Sequence, residues 1–298
     1  MRRIFATNLR LTLALSVAVG VASGQGVGSP GGVRPNAGNN EKPAIESAYF
    51  GALGEVGPPG ALANVTKCPQ APGDDGMPLD FSVQIDASSI RPEYFRVVNR
   101  TGGVSTPNCA TLSPADEANE LSTLLLAGPF VGVVNGMPNA MEFPAYVLIV
   151  GPVKDLNGNA LTGLVSPPVT IGLQSGPSLT RANLFIKPER PAGTSPLSVQ
   201  LVWAGGVTGP RGAELGTDQL NAIRIIDRNG NAHAPLAFDD LGDGDNFVEL
   251  YIPIGVVPER VEVRAGFFFD PMNFPNPATA VQVTRPNFAQ LLQQLLGQ

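Results

Sequence analysis

Apolar residues recur at every second position in short runs along this chain, and each run stops at Gly, Pro, Asn or Asp. Phe81-Ser82-Val83-Gln84-Ile85 places Phe81, Val83 and Ile85 on one face of a predicted strand, and Leu197-Ser198-Val199-Gln200-Leu201 repeats the pattern with Ser-Val-Gln unchanged. Phe95-Arg96-Val97-Val98 then meets Asn99-Arg100-Thr101-Gly102, and the chain resumes at Gly103-Val104-Ser105. The arrangement returns 128 residues later as Ile223-Arg224-Ile225-Ile226, Asp227-Arg228-Asn229-Gly230 and Asn231-Ala232-His233. Both read as β-hairpins, because Asn or Asp followed by Gly supplies the positive φ angles of a tight strand connection. Leu121–Ala127, Tyr146–Val150 and Val169–Leu173 add three apolar runs of strand length.

The matches continue in order. Asp243–Ile252 follows Asp116–Leu125, and Pro258–Gly266 with Asp270 follows Pro144–Gly151 with Asp155. The spacing drifts as loop insertions require, residues 204–220 being longer in the second half and 129–143 in the first. Each half exceeds 100 residues, too long for a solenoid unit, so two domains are expected at 45–175 and 178–285. About seven short strands per half, with Gly (35) and Pro (29) making up over a fifth of 298 residues, predict Greek-key sandwiches.

The segment Tyr146-Val147-Leu148-Ile149-Val150-Gly151-Pro152-Val153-Lys154-Asp155-Leu156-Asn157-Gly158-Asn159-Ala160-Leu161 resembles the closing strand and Asp-x-x-Gly-Asn turn of bacterial immunoglobulin-like domains of S-layer and large surface proteins. The resemblance covers the end of the first domain, while Asp270-Pro271-Met272-Asn273 departs from it in the second. It implies a non-catalytic surface module, and the fold expected from the strands is all-β, two tandem immunoglobulin-like Greek-key β-sandwiches.

Met1-Arg2-Arg3 and Arg10 precede the uncharged run Leu11–Ala22, which ends in Ala22-Ser23-Gly24, so residues 1–24 are expected to be a cleaved signal peptide. Arg2-Arg3-Ile4-Phe5 also fits a twin-arginine signal, although paired arginines occur in ordinary leaders. No later segment reaches 18 uninterrupted apolar residues, so no membrane span is expected in the mature chain. Residues 25–44 have almost nothing to bury and read as a flexible linker. Residues 286–298 read as a short C-terminal amphipathic helix with Phe288, Leu291, Leu292, Leu295 and Leu296 on one face. A helix this short is marginal alone, so that face is expected to dock on its sandwich, self-associate or bind a partner.

Charged residues make up 15% of the chain, and without the leader 16 basic face 25 acidic residues, a net charge of −9. Nucleic acid and anionic membrane are therefore poor partners. Cys68 and Cys109 are the only cysteines. In an exported protein such a pair is expected to form a disulfide, since a two-thiol metal site would need further soft ligands and the single His233 lies in the other half.

Candidate chemistry is sparse. There is no Gly-x-Ser-x-Gly elbow or His-Glu-x-x-His, and His233 reads as a solvated hairpin residue, so an enzyme is not expected. A glycosidase pair of carboxylates could sit on a sandwich, but the sequence selects none. The loops expected at one end of the second domain hold Asp218, then Asp239, Asp240, Asp243 and Asp245, then Asp270 and Asn273. Convergence of Asp239, Asp240, Asp243, Asp245 and Asp270 would suit calcium, which takes six to eight oxygens. Phe247 breaks EF-hand spacing, and the alternative reading is turn chemistry and solubility. Asp86, Glu93, Asp116, Glu117 and Asp155 form the corresponding, weaker set in the first domain. Asn64-Val65-Thr66 and Asn99-Arg100-Thr101 fit the N-glycosylation pattern. The function expected is an exported, calcium-stabilised binding or structural module whose partner is a surface protein or glycan. The alternative is a secreted hydrolase or carbohydrate-binding accessory, which a cleft of convergent carboxylates or exposed aromatics would favour.

Overall fold

The first half has ten short strands, eight of them in two layers. They are β1 (Ile45–Phe50), β2 (Asp75–Phe81), β3 (Phe95–Asn99), β4 (Val104–Ser105), β5 (Cys109–Thr111), β6 (Thr123–Gly128), β7 (Val133–Val134), β8 (Met137–Pro138), β9 (Pro144–Ile149) and β10 (Thr170–Ile171). This computed structural model describes residues 42–51, 54, 67–68, 74–118, 120–187, 189–240 and 244–286. The expected signal peptide, nearly all of the linker, the C-terminal amphipathic segment and Asp243 lie outside the described residues.

One layer runs β10-β1-β2-β6-β5 and the other β4-β3-β9, with β1 and β10 parallel. That is the strand order of an immunoglobulin-like Greek key. The β7–β8 hairpin is an insertion between β6 and β9. The second half contains β11 (Leu179–Ile186), β12 (Thr194–Trp203), β13 (Ile223–Asp227), β14 (Ala232–His233), β15 (Ala237–Asp239), β16 (Phe247–Pro253), β17 (Pro258–Val263) and β18 (Thr279–Thr284). Here β12 lies between β11 and β16, β16 pairs β15, β13 lies between β14 and β17, and β11 runs parallel to β18. These pairings recur from the first half in the same chain order, and β17 additionally pairs β18, which joins the eight strands into one continuous sheet. No described strand of one half pairs with a strand of the other, so the protein is all-β and contains two sandwiches. Among the described residues no helix is long and apolar enough to cross a membrane.

The pleat explains which residues meet. In β3 and β9, Phe95, Val97, Val147 and Ile149 point inward and are buried, while Arg96, Val98, Tyr146 and Leu148 point outward. Leu79, Phe81, Leu124 and Leu126 complete the centre of the N-terminal core. In the C-terminal core Trp203 packs on Phe268 at 4.6 Å between ring centroids, beside Leu201, Ile223 and Val261. Burying each such side chain contributes roughly 1.5–3 kcal/mol.

One expected strand is corrected. The run Phe81–Ile85 is not a strand, because β2 ends at Phe81. Phe81 pairs with Ile45 as Trp203 pairs with Leu179, so these two residues correspond. Ser82-Val83-Gln84 therefore lies beyond the strand end, whereas Ser198-Val199-Gln200 lies within β12. The shared tripeptide is a coincidence. The alternation outlasts the strand because Val83 and Ile85 still pack on the same core from the following loop.

A single turn geometry occurs four times. The amide of Asn99, Asp155, Asp227 or Asp270 donates to the carbonyl four residues later, and its own carbonyl accepts from the amide three residues later. Its side-chain oxygen also accepts from the amide at the fourth position, at 2.7–2.9 Å. The third position has positive φ in each turn and is Gly102, Gly158, Gly230 or Asn273. Asn273 stands in for glycine because Asn tolerates the left-handed region. The sequence Asp270-Pro271-Met272-Asn273 thus builds the turn that its lack of Gly seemed to break.

The expected disulfide is present between Cys68 and Cys109, with Cα atoms 5.9 Å apart. It ties the chain before β2 to edge strand β5.

Asp155 is 1% exposed, and its Oδ1 accepts from the amides of Asn157 at 2.9 Å and Asn159 at 2.8 Å. Asp155→Ala leaves both donors without their acceptor and should lower unfolding stability by about 2–3 kcal/mol in urea titration. A loss below about 0.5 kcal/mol would show that the turn does not depend on the side chain.

Candidate functional site

The expected acidic end of the C-terminal sandwich is seated on the N-terminal sandwich. The platform is the outward side of β1, β2 and β6. Leu79 and Phe81 face the core, so Asp80 faces out, in register with Ser47 and Thr123. Asp80 is nevertheless only 1% exposed. It accepts from Ser47 Oγ at 2.7 Å and Thr123 Oγ1 at 2.8 Å. From the other sandwich it accepts from Thr180 Oγ1 at 3.1 Å and Asn246 Nδ2 at 2.9 Å. Burial raises its carboxyl above the ordinary range, opposed by Ser47, Arg181, Thr123 and Thr180. Arg181 spans the same junction, donating to the Phe81 carbonyl at 2.6 Å and Ser122 Oγ at 3.0 Å and pairing with Glu46.

A second contact crosses the boundary where Tyr49 Oη donates to Asp270 Oδ2 at 2.9 Å. Burial pushes the Tyr49 hydroxyl and the Asp270 carboxyl upward. Glycine is required beside this ring. A Cβ on Gly205 would come within 2.8 Å of Tyr49, and one on Gly172 within 2.7 Å of its hydroxyl. Ala115, Val202 and Phe247 form the small apolar part of the junction.

The expected calcium ligands go to separate places. Asp270 is buried, with Oδ1 committed to the Phe274 amide at 2.7 Å and Oδ2 to Tyr49. Asp239 ends β15, with Lys187 Nζ 3.7 Å away, and Asp240 follows it. Asp245 Oδ1 accepts from the Phe247 amide at 2.7 Å. Among the described residues, the group of three carboxylates that could share an ion joins Asp245 to Glu117 and Glu120 of the N-terminal sandwich, their oxygens within 4.8 Å of one another. From the weaker set, Asp116 pairs with Lys67, and Asp86 caps its own turn by accepting from the Ser88 amide. His233 lies in the second hairpin, its Nε2 3.0 Å from Asp227 Oδ2. That contact, Asn231 and two backbone amides hold the Asp227 carboxyl well below the usual range.

The outward side of β4-β3-β9 is different in character. Val104, Val98 and Tyr146 form one row across it, and Arg96, Leu148 and Val165 the next. Val104 is 61%, Tyr146 40% and Val165 52% exposed. The same registers in the C-terminal sandwich hold Ala232, Ile226 and Arg260, then Arg224, Glu262 and Ala280. There Arg260 Nε donates to Glu262 Oε1 at 2.9 Å. Neither Asp80 nor this apolar face was anticipated from sequence. The signal for Asp80 is a lone acid between two core residues, Leu79 and Phe81. It becomes informative only when pairing sets Ser47 and Thr123 beside it.

No family model matches the chain, and no curated protein matches it significantly. A search of solved structures returns bovine butyrophilin at 8% identity, covering 72% of this chain and 92% of that one with a TM-score of 0.18, a likeness that carries no argument.

Asp80→Ala removes the acceptor shared by four donors and the attraction of Arg181 for that charge, while Arg181 keeps Glu46. Unfolding stability should fall by about 3 kcal/mol or more, and a loss under about 1 kcal/mol would count against the junction. A second expectation concerns Asp75, which accepts from the amides of Gly54 at 3.2 Å and Val131 at 3.1 Å. Burial raises its carboxyl from 3.8 to about 6. The folded state then keeps the proton longer than the unfolded chain. Its contribution to stability is full below about pH 4 and is lost as pH rises through about 6. Asp75→Asn should shrink the stability difference between about pH 4 and 7 by up to about 3 kcal/mol. An unchanged difference excludes Asp75 as its source.

Proposed function

We propose that the chain is an exported, non-catalytic binding module of the cell envelope or extracellular space. On this reading it arose by tandem duplication of a domain related to bacterial immunoglobulin-like surface domains, the repeated pairings and four shared turns being the support. The C-terminal sandwich acts as a platform and the N-terminal sandwich as the binding unit. The observation that carries this is an asymmetry. Of the ten large hydrophobic side chains exposed among the described residues, eight belong to the N-terminal sandwich. Exposed apolar patches that a fold does not require mark interaction sites. A carbohydrate-binding accessory has weaker support, since Tyr146 is the one aromatic among those ten. Calcium belongs to the proposal at Glu117, Glu120 and Asp245, where a cation would offset mutual repulsion.

The test is co-sedimentation of the purified chain with isolated envelopes of its source and with matched secreted material, in millimolar calcium or in chelator, with melting curves in both buffers. Saturable binding is expected. Calcium at about 100 times its dissociation constant should stabilise the fold by about 2.7 kcal/mol, and magnesium should do less. Binding to neither fraction sinks the module reading, and an unchanged melting midpoint removes calcium from it.

A further inference from the structure

The outward side of β4-β3-β9 carries two features together. One is the apolar pair of rows already described. The other is positive charge without a counter-charge. Arg96 lies in the second row, its Nη1 donating to the Phe95 carbonyl at 2.7 Å and the Glu93 carbonyl at 2.9 Å. Arg100 sits at the lower rim, its guanidinium 5.3 Å from the centre of the Phe143 ring. Neither has a carboxylate partner among the described residues. The nearby Glu142 is committed to the insertion, accepting from the Gly132 amide at 2.9 Å and Asn139 Nδ2 at 3.0 Å. On the C-terminal sandwich the registers of Tyr146 and Leu148 hold the ion pair Arg260–Glu262, while Arg96 and Arg100 have counterparts in Arg224 and Arg228, Arg224 making the same two carbonyl contacts. The fold therefore does not require the apolar rows, whereas the arginines recur in both halves and on this face stand beside apolar area instead of an ion pair.

We propose that this face binds a protein segment whose apolar side chains are bordered by carboxylates, an inference that rests on the binding-module reading above. Val104, Tyr146 and Val165 supply area to be covered, and Arg96 and Arg100 supply donors that match carboxylates. A second copy of this chain fits poorly, because a twofold contact would set the two arginines near their own copies. Nucleic acid is disfavoured by the net charge of −6.

The probe is a random peptide library displayed on phage and panned against the full chain, with Tyr146→Arg/Leu148→Glu as the counter-target. That double variant copies the residues at the matching registers of the C-terminal sandwich, so the sheet should accept it. Enriched peptides should combine aromatic or branched apolar residues with Asp or Glu. They should bind the double variant at least about tenfold more weakly, the scale of losing one central anchor. Arg96→Gln/Arg100→Gln should weaken them too and flatten their salt dependence. Should the first variant lose its cooperative unfolding, Val104→Ala/Val165→Ser removes the same apolar area at exposed positions. No enrichment, basic consensus sequences, or equal binding to the variants overturns the proposal. So does a dimer in sedimentation that the double variant abolishes, which would make the occupant a second copy. Envelope binding that survives the double variant overturns this face while leaving the proposed function standing.

Discussion

A carboxylate taken out of water costs several kcal/mol unless its oxygens are fully engaged, and Asp80 meets that demand with donors from both sandwiches. Ser47 and Thr123 come from its own sheet, while Thr180 and Asn246 come from the start of β11 and the residue preceding β16. Hydrogen bonds are directional, so each sandwich can satisfy Asp80 in only a narrow range of poses. Two sandwiches joined only by the short stretch 172–178 would be free to move against each other. Here motion would expose Asp80, Arg181 and the Tyr49–Asp270 pair to imperfect partners, and the small apolar contact of Ala115, Val202 and Phe247 alone would not resist it. The polar junction selects the arrangement, and the arrangement closes the loop end of the C-terminal sandwich.

What the sequence made legible is what local chemistry decides. The hairpins at Asn99 and Asp227 are visible because Gly102 and Gly230 take φ values that other residues avoid, and the Asx side chain completes the turn within five residues. The disulfide was legible from cysteine number and the export expected of the chain. The end of β2 was not, because Val83 and Ile85 keep the alternating pattern while packing from a loop. Alternation reports which residues face the core; it does not report whether their backbone is paired. The turn at Asp270 was hidden for a related reason, since positive φ can be carried by Asn273 as well as by Gly.

The candidate site was less legible because it is a matter of which surfaces are covered. Loop order sends several aspartates toward one end of a sandwich, whereas Asp239 lies beside Lys187 and Asp270 against Tyr49. It gives no account of a second domain occupying that end, so Asp270 looked like a ligand and is an acceptor for Tyr49 and Phe274. The sequence groups Glu117 only with the first-domain acids and Glu120 with none, since both lie more than 100 residues from Asp245 in sequence and meet it only across the junction.

The two sandwiches also demonstrate how one topology comes to carry opposite surfaces. A strand separates its inward from its outward residues by one position, so outward residues can change with little effect on the core. Phe95, Val97, Val147 and Ile149 correspond by register to Ile223, Ile225, Val261 and Val263, and all eight are buried. Between them Tyr146 corresponds to Arg260 and Leu148 to Glu262. On the other sheet, outward Ser47, Asp80 and Thr123 are covered by the C-terminal sandwich, whereas Lys187 and Glu249 of the C-terminal sandwich form a partly covered pair within it. Each N-terminal face is thus the reverse of what exposure alone would favour, the covered one polar and the bare one apolar. The covered polar face has its partner in the same chain, whereas the apolar face has none among the described residues.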